Sequence, residues 1–291
     1  MASGIFTLKQ QLQGLIQKAW TSVQVPTTTY AGSFNGSNQN LTVANNSAFL
    51  FGTGDFTVEC FFNPTSITGA AANQGLVGMW GTGSQASWLL YYSGGTFIWY
   101  TSSTGSAQTA TLTVTKAITV GTWYHVALVR YSGTTTIYIN GTSAGSTSTV
   151  VNLYAATCAL SIAINPAGGT PDYVNGSLSN LRIVKGVAVY TSNFAVPTSP
   201  LTNLTSTSLL TLQNATIVDN SSNAFTITNV GSVTTSANTT IFVNPSIATP
   251  AVEYLVVAGG GGGGNGGGGA GEYVPTRGQS RHGSARIGRR S

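Results

Sequence analysis

Apolar positions along this chain follow two different periods. In residues 1–20 they recur at helical spacing: Ile5, Leu8, Leu12, Leu15 and Ala19 form one stripe, with Ile16 and Trp20 beside it. Thr7 and Gln10 have the spacing of a capping box, so a regular helix is expected to start there. Gly14 in its middle costs about 1 kcal/mol relative to Ala, and a helix this short is marginal alone. The stripe needs a cover, and two fit: the chain's own β-domain, or a partner on which residues 1–27 act as docking helix and linker.

From Tyr30 onward the period is two. Phe56, Val58, Cys60 and Phe62 alternate with Thr57, Glu59 and Phe61, which predicts a strand with an apolar inner face. Aromatic strands are expected at 88–92 and 97–100, joined by the hairpin turn Ser93-Gly94-Gly95-Thr96. A strand at 123–131 turns at Ser132-Gly133 into 134–139, and Asn140-Gly141 turns the chain again. Strands at 160–164 and 178–184 complete the series. Turns recurring roughly every 8–12 residues without helical interruption predict an all-β, antiparallel sandwich.

Composition sharpens this picture. Only 6% of the 291 residues are charged, which suits an all-β structural protein better than a cytosolic enzyme. The net charge of +5 sits in the tail, where Arg277, Arg281, Arg286, Arg289 and Arg290 occur; elsewhere six basic residues balance six acids. A neutral body makes a nucleic-acid groove an unpromising reading. Cys60 and Cys158 read as free thiols within strands. No apolar run reaches the roughly 20 residues of a bilayer span, and no secretory leader is recognisable, so synthesis in a host cytoplasm without membrane insertion is expected.

Several motifs also carry a resemblance. Phe34-Asn-Gly, Leu41-Thr-Val and Gly52-Thr-Gly-Asp-Phe-Thr-Val-Glu resemble the start of a laminin-G-like module of the concanavalin-A-like jelly-roll superfamily. Thr122-Trp-Tyr-His-Val-Ala-Leu-Val-Arg and Ile137-Tyr-Ile-Asn-Gly resemble its central hairpin. Gly176-Ser-Leu-Ser-Asn-Leu-Arg-Ile-Val-Lys-Gly, running on to Tyr190 and Pro197, resembles its closing strand and exit loop. The match spans 30–201 and implies a jelly-roll sandwich. Strand-like residues in 202–247 either close this sandwich from the C-terminal side or are the remnant of a second module. The first is favoured, because about forty residues cannot bury a core alone.

Glu253-Tyr-Leu-Val-Val-Ala, followed by glycines from Gly259 to Gly269, is similar to glycine-rich segments of phage tail-fibre and other virion proteins. The opening 1–20 is similar to that of marine cyanophage structural proteins. The expected organisation is therefore a docking helix and linker (1–27), a sandwich (28–247), a glycine-rich appendage (248–276) and a basic tail (277–291). The glycine run lacks the Gly-Lys-Ser/Thr of a phosphate loop.

The superfamily includes glucanases, so catalysis has to be weighed. Glycoside hydrolysis needs two carboxylates about 5–9.5 Å apart. Asp55 and Glu59 are the nearest pair in sequence, and four strand residues separate them by roughly 13 Å. The Glu-x-Asp-x-Glu pattern of those glucanases is absent, and Asp55 reads as a turn cap. His125 shares a strand face with Trp123, Ala127 and Val129 and reads as a packed histidine.

For calcium, which many such domains bind, Asp172 in the loop Gly168-Gly-Thr-Pro-Asp-Tyr is the one rim carboxylate. For sugars, Trp80, Trp88, Tyr91, Tyr92, Trp99 and Tyr100 gather in one hairpin region, of which about half must face the core. Trp88, Tyr92, Trp99 and Tyr100 are the candidate stacking residues.

These readings point to a non-enzymatic phage virion protein, a tail-fibre or surface-appendage subunit held to other virion proteins by its N-terminal helix. The jelly-roll would face outward, with a host surface glycan as candidate ligand, and the helical stripe suits a homo-oligomer such as a trimer. The alternatives are a capsid decoration protein and a glycan-binding adhesin.

Overall fold

The computed structural model of the chain describes residues 28–242, apart from 107, 108, 168 and 239. The expected docking helix (Ile5, Leu8, Leu12, Leu15, Ile16, Ala19, Trp20), the glycine-rich segment and the basic tail lie outside the described residues.

The strands among the described residues are β1 (Thr29–Asn35), β2 (Asn40–Val43), β3 (Phe56–Pro64), β4 (Asn73–Gly81), β5 (Gln85–Ser93), β6 (Thr96–Thr101), β7 (Thr109–Thr115), β8 (Tyr124–Tyr131) and β9 (Thr134–Ile139). They continue as β10 (Thr142–Thr147), β11 (Leu160–Ile162), β12 (Ile164–Asn165), β13 (Asp172–Tyr173), β14 (Asn175–Lys185), β15 (Thr207–Thr211), β16 (Ile227–Val230) and β17 (Thr234–Asn238). The first sheet has the order β10-β9-β8-β3-β14-β1-β17, with β15 also paired to β14; the second has the order β16-β2-β11-β4-β5-β6-β7. Every pairing is antiparallel.

The sheets face each other across one core. Phe56, Val58, Cys60 and Phe62 of β3 meet Leu76, Met79, Trp88, Leu90 and Trp99 of the second sheet. Burial on this scale, at about 25 cal/mol per Å² of apolar surface, is the main term holding the layers together. The alternate residues of β3 (Thr57, Glu59 and Phe61) are buried as well, because residues 186–201 lie across the outer face as a strap. Thr57 Oγ1 donates to Val187 O (3.0 Å) and accepts from Val189 N (2.9 Å), while Ala188, Tyr190 and Phe194 pack on Ala127, Val129 and Tyr138.

The strap is pinned at the β9–β10 turn. Asn140 and Gly141 have φ of 51° and 73°, the left-handed pair of a tight hairpin, and Phe194 N donates to Gly141 O (2.9 Å).

One expectation needs correcting: 160–164 is not a continuous strand. Ala163 has φ 65°, so β11 remains in the second sheet while β12 turns away to pair with β13. The segment 202–247 contributes β15 beside β14, β16 at one edge of the second sheet and β17 at one edge of the first.

Candidate functional site

Strand alternation decides where the aromatic hairpin points. Trp88, Tyr92 and Trp99 face the other sheet and are 0%, 1% and 0% exposed. Trp88 Nε1 donates to Phe49 O (2.9 Å), and its ring stacks on Phe51 at 4.9 Å. These three cannot form a sugar platform; they are core, which corrects the sequence expectation. Tyr100 lies on the outer face of β6, half-buried against Trp80 (6.2 Å between ring centroids) and Tyr91 (5.7 Å). A shallow cavity of about 300 Å³ adjoins them, lined by Trp80, Thr82, Ser84, Ala86, Ser106 and Ala167 among others.

Asp172 sits on β13 at the edge of this cluster. Its Oδ2 accepts from Tyr91 OH (2.7 Å) and Asn165 Nδ2 (3.2 Å). Burial, followed by this bond to the Asp172 carboxylate, pushes the Tyr91 phenol well above its ordinary pKa, so it remains a donor. A carboxylate facing two donors is a poor calcium ligand. No group of three or more His, Cys, Asp or Glu that could hold a metal occurs among the described residues. Asp172 thus fits a hairpin-fixing role, with its Oδ2 taken up by Tyr91 and Asn165.

The outer face of the first sheet holds a different constellation. Neighbouring strands β8, β3 and β14 bring His125, Glu59 and Arg182 together, and the strap adds Tyr190. Glu59 Oε1 accepts from Arg182 Nε (2.8 Å) and Nη2 (2.6 Å); its Oε2 accepts from His125 Nε2 (3.0 Å) and Tyr190 OH (2.8 Å). Arg182 Nη1 donates onward to Thr202 O (3.0 Å). Burial alone would push the Glu59 pKa up. The His125 hydrogen bond and the Arg182 charge outweigh it, leaving the carboxyl below its ordinary value and ionised at neutral pH.

Since Glu59 only accepts, His125 Nε2 donates in this bond, an orientation assigned from its partner. Nδ1 is buried and has no hydrogen-bond partner. The imidazole is boxed by Phe61 (4.8 Å), Phe194 (5.6 Å) and Tyr190 (6.1 Å), all edge-on.

His125 also lines a cavity of about 630 Å³ on this face. Its walls are Phe61, Trp123, Val196, Pro197, Ile241 and Phe242, with Thr122, Asn140, Thr198 and Thr240 at its polar positions. Trp123 is half-buried, packed with Phe61 and Phe242 yet open to the cavity. Asn140 Oδ1 accepts from the His125 backbone N–H (2.9 Å), tying the cavity edge to β8. Of the lining residues none is Asp, Glu, Lys or Arg.

Sequence reasoning placed His125 correctly on a packed face but did not single out the cavity. One local signal was available: Phe61 is an apolar residue on the otherwise polar face of β3. The other acids among the described residues are structural. Asp55 Oδ1 accepts from Ser132 N (3.0 Å), and Asp219 accepts from Leu210 N, Ser221 N and Phe225 N at 2.9–3.1 Å.

A laminin-G-type family model, described as the concanavalin A-like lectin/glucanases superfamily, matches residues 35–189. No curated protein matches the chain by sequence. Among solved structures, the chain is similar to a candidate carbohydrate binding protein from Bacteroides ovatus, at 18% identity and TM-score 0.50, covering 72% of this chain and 60% of that one. It is similar also to a heptameric SAP-like pentraxin from Limulus polyphemus, at 18% identity and TM-score 0.45, covering 72% and 96%. A third is the Ruminococcus gnavus IT-sialidase CBM40 bound to α2,3 sialyllactose, at 15% identity and TM-score 0.43, covering 55% and 93%. At these identities the likeness is one of fold. The chain spans 60% of the length of the Bacteroides protein.

Proposed function

Since the chain belongs to the concanavalin A-like lectin/glucanases superfamily, we propose that it is a non-enzymatic, glycan-binding module of a phage virion. In this reading it is a tail-fibre or surface-appendage subunit, made in the host cytoplasm and held to other virion proteins, as a homo-oligomer, through residues 1–20. The sandwich faces outward toward host surface glycans.

The observation that carries the binding part is the 630 Å³ cavity beside His125, aromatic on its walls and lined by no Asp, Glu, Lys or Arg. Its size is that of a small-ligand site. The state of Glu59 supports a non-enzymatic role. A glycosidase acid needs a raised pKa and a proton to give; Glu59 is held ionised by four donor bonds. The virion part rests on the resemblance of residues 1–20 and 253–269.

The test uses the full chain on a panel of host-surface glycans, with product analysis for hydrolysis, and particles carrying a chain deleted for 1–20. Expected are glycan capture without cleavage, and loss of incorporation on deletion while the β-domain still melts cooperatively. Released sugar would refute the non-enzymatic reading, and normal incorporation of the deletion would refute the anchor.

A further inference from the structure

We infer that in the unassembled subunit the cavity between β8, the strap and residues 240–242 is the seat of the chain's own N-terminal stripe, with Leu8, Leu12 and Leu15 lying in it. The inference rests on the proposed function, whose anchor and whose ligand cavity it makes mutually exclusive.

Three observations converge on it. The first is where the chain enters the fold. The described residues open at Thr28, one residue before β1. Ala31 of β1 packs with Phe61, Ile241 and Phe242, which are three of the cavity's lining residues. Two strand residues, roughly 7 Å, therefore separate Thr29 from a residue in contact with the cavity wall. Residues 21–28 extend at most about 29 Å, so the stripe reaches the cavity on its own tether.

The second is fit. Phe61, Trp123, Val196, Pro197, Ile241 and Phe242 make an apolar wall, and no Asp, Glu, Lys or Arg lines it. Ile5, Leu8, Leu12, Leu15 and Ala19 are likewise uncharged, and an amphipathic face of this kind needs a partner surface. One turn of helix with its side chains fills a cylinder of about 500 Å³. A cavity of about 630 Å³ thus holds the apolar half of two turns, the span from Leu8 to Leu15, and leaves the polar half in solvent.

The third is the shortness of the tether. Eight residues between stripe and strand set an effective concentration on the order of millimolar, which the stripe of a second copy at micromolar concentration does not match. The occupant is therefore the chain's own segment. It cannot lie in the cavity and on a virion protein at once, so incorporation of the subunit frees the cavity, and free subunits bind glycans less tightly than assembled ones.

Amide exchange on the full chain at micromolar concentration, repeated after dilution by about tenfold, measures the seat. Residues 8–16 are expected to exchange at least about tenfold more slowly than in a synthetic peptide of residues 1–20, where so short a helix is marginal. Val196→Asp, which puts a carboxylate in the apolar wall, abolishes the protection. The reciprocal variant, Leu8→Ser, Leu12→Ser and Leu15→Ser together in the full chain, leaves every residue of the sandwich in place. Its Val196 and Ile241 methyl resonances move from their positions in the parent. With the cavity open, this variant captures a glycan about tenfold more tightly than the parent, in proportion to the protection.

Unprotected amides in the parent overturn the seat. So do protection that survives Val196→Asp and methyl resonances that stay where they were, since both put the cover elsewhere. Protection lost on dilution overturns the choice of occupant and assigns the cavity to the stripe of a second copy. Equal glycan capture by the parent and the triple variant overturns the exclusion of one occupant by the other. If neither captures any glycan on the panel, the glycan-binding reading falls, while the exchange and methyl data still decide the seat.

Discussion

Replacing Glu59 by Gln perturbs the centre of the outer-face network with little change of shape. The amide keeps one acceptor but brings two donors to a place already surrounded by donors: Arg182, His125 and Tyr190. Arg182, 4% exposed, loses its compensating charge. Breaking a buried pair by removing one partner costs about 3–5 kcal/mol. In a fold of this size that lowers the melting midpoint by roughly 6–20 °C, at about 2–4 °C per kcal/mol. Urea unfolding followed by tryptophan fluorescence measures the difference. Adding Arg182→Met to Glu59→Gln should recover part of it, because the penalty lies mainly in the stranded guanidinium.

The pH dependence gives a second readout. The folded-state pKa of Glu59 lies below its ordinary value, so its stabilisation is full above the unfolded pKa of about 4.3 and is lost as pH falls through the lower folded value. The gap between parent and Glu59→Gln should hold from neutral pH to about pH 5 and close below about pH 4. A gap under about 1 kcal/mol, the size expected of an exposed pair, would refute the reasoning; so would a gap unchanged down to about pH 3.

Three further outcomes follow from the same structure. Trp88→Ala, which leaves a cavity against Phe51 and frees Phe49 O, should cost about 3–5 kcal/mol in urea unfolding; a near-neutral result would mean the ring is not core. At Gly75 a Cβ would overlap the backbone of Ile164 and Asn165, so Gly75→Ala should lift the β12–β13 hairpin and speed amide exchange at Val174, whose N–H bonds Ala163 O; unchanged exchange would count against that close approach. Burial pushes the Cys60 thiol up to about 12, so at about pH 8 only Cys158 should react with Ellman's reagent in the native protein, and equal rates for both thiols would contradict the burial of Cys60.

How much of this could be read from the chain depended on whether a strand carries polar markers. In β3, Thr57 and Glu59 identify the outer face, so the inward set Phe56, Val58, Cys60 and Phe62 was legible from alternation alone. In β5 the run Trp88-Leu89-Leu90-Tyr91-Tyr92 is apolar at every position, because one side faces the core and the other packs with Trp80 and Tyr100. Period two then says that neighbours oppose each other but not which one is inside. The turn pairs were legible because Asn140-Gly141 and Gly94-Gly95 state their backbone requirement directly. The break at Ala163 was not, since nothing in an alanine announces a positive φ.

The Glu59 network was the least accessible part, for a topological reason. His125, Arg182 and Tyr190 stand 66, 123 and 131 residues from Glu59, and only the strand order β8-β3-β14 makes them neighbours. That order also bears on what the fold can do. A sandwich buries one face of each sheet without help, whereas the outer face of the first sheet is buried by a strap that needs fastening. Apolar contact alone would hold Tyr190 and Phe194 loosely in register; a carboxylate accepting from β8, β14 and the strap at once fixes all three. Such a network contributes orientation more than stability, since charges removed from water regain little beyond their desolvation cost. Its oriented product is the His125 ring, held by Glu59 at Nε2, boxed by three aromatics and set in the wall of the 630 Å³ cavity.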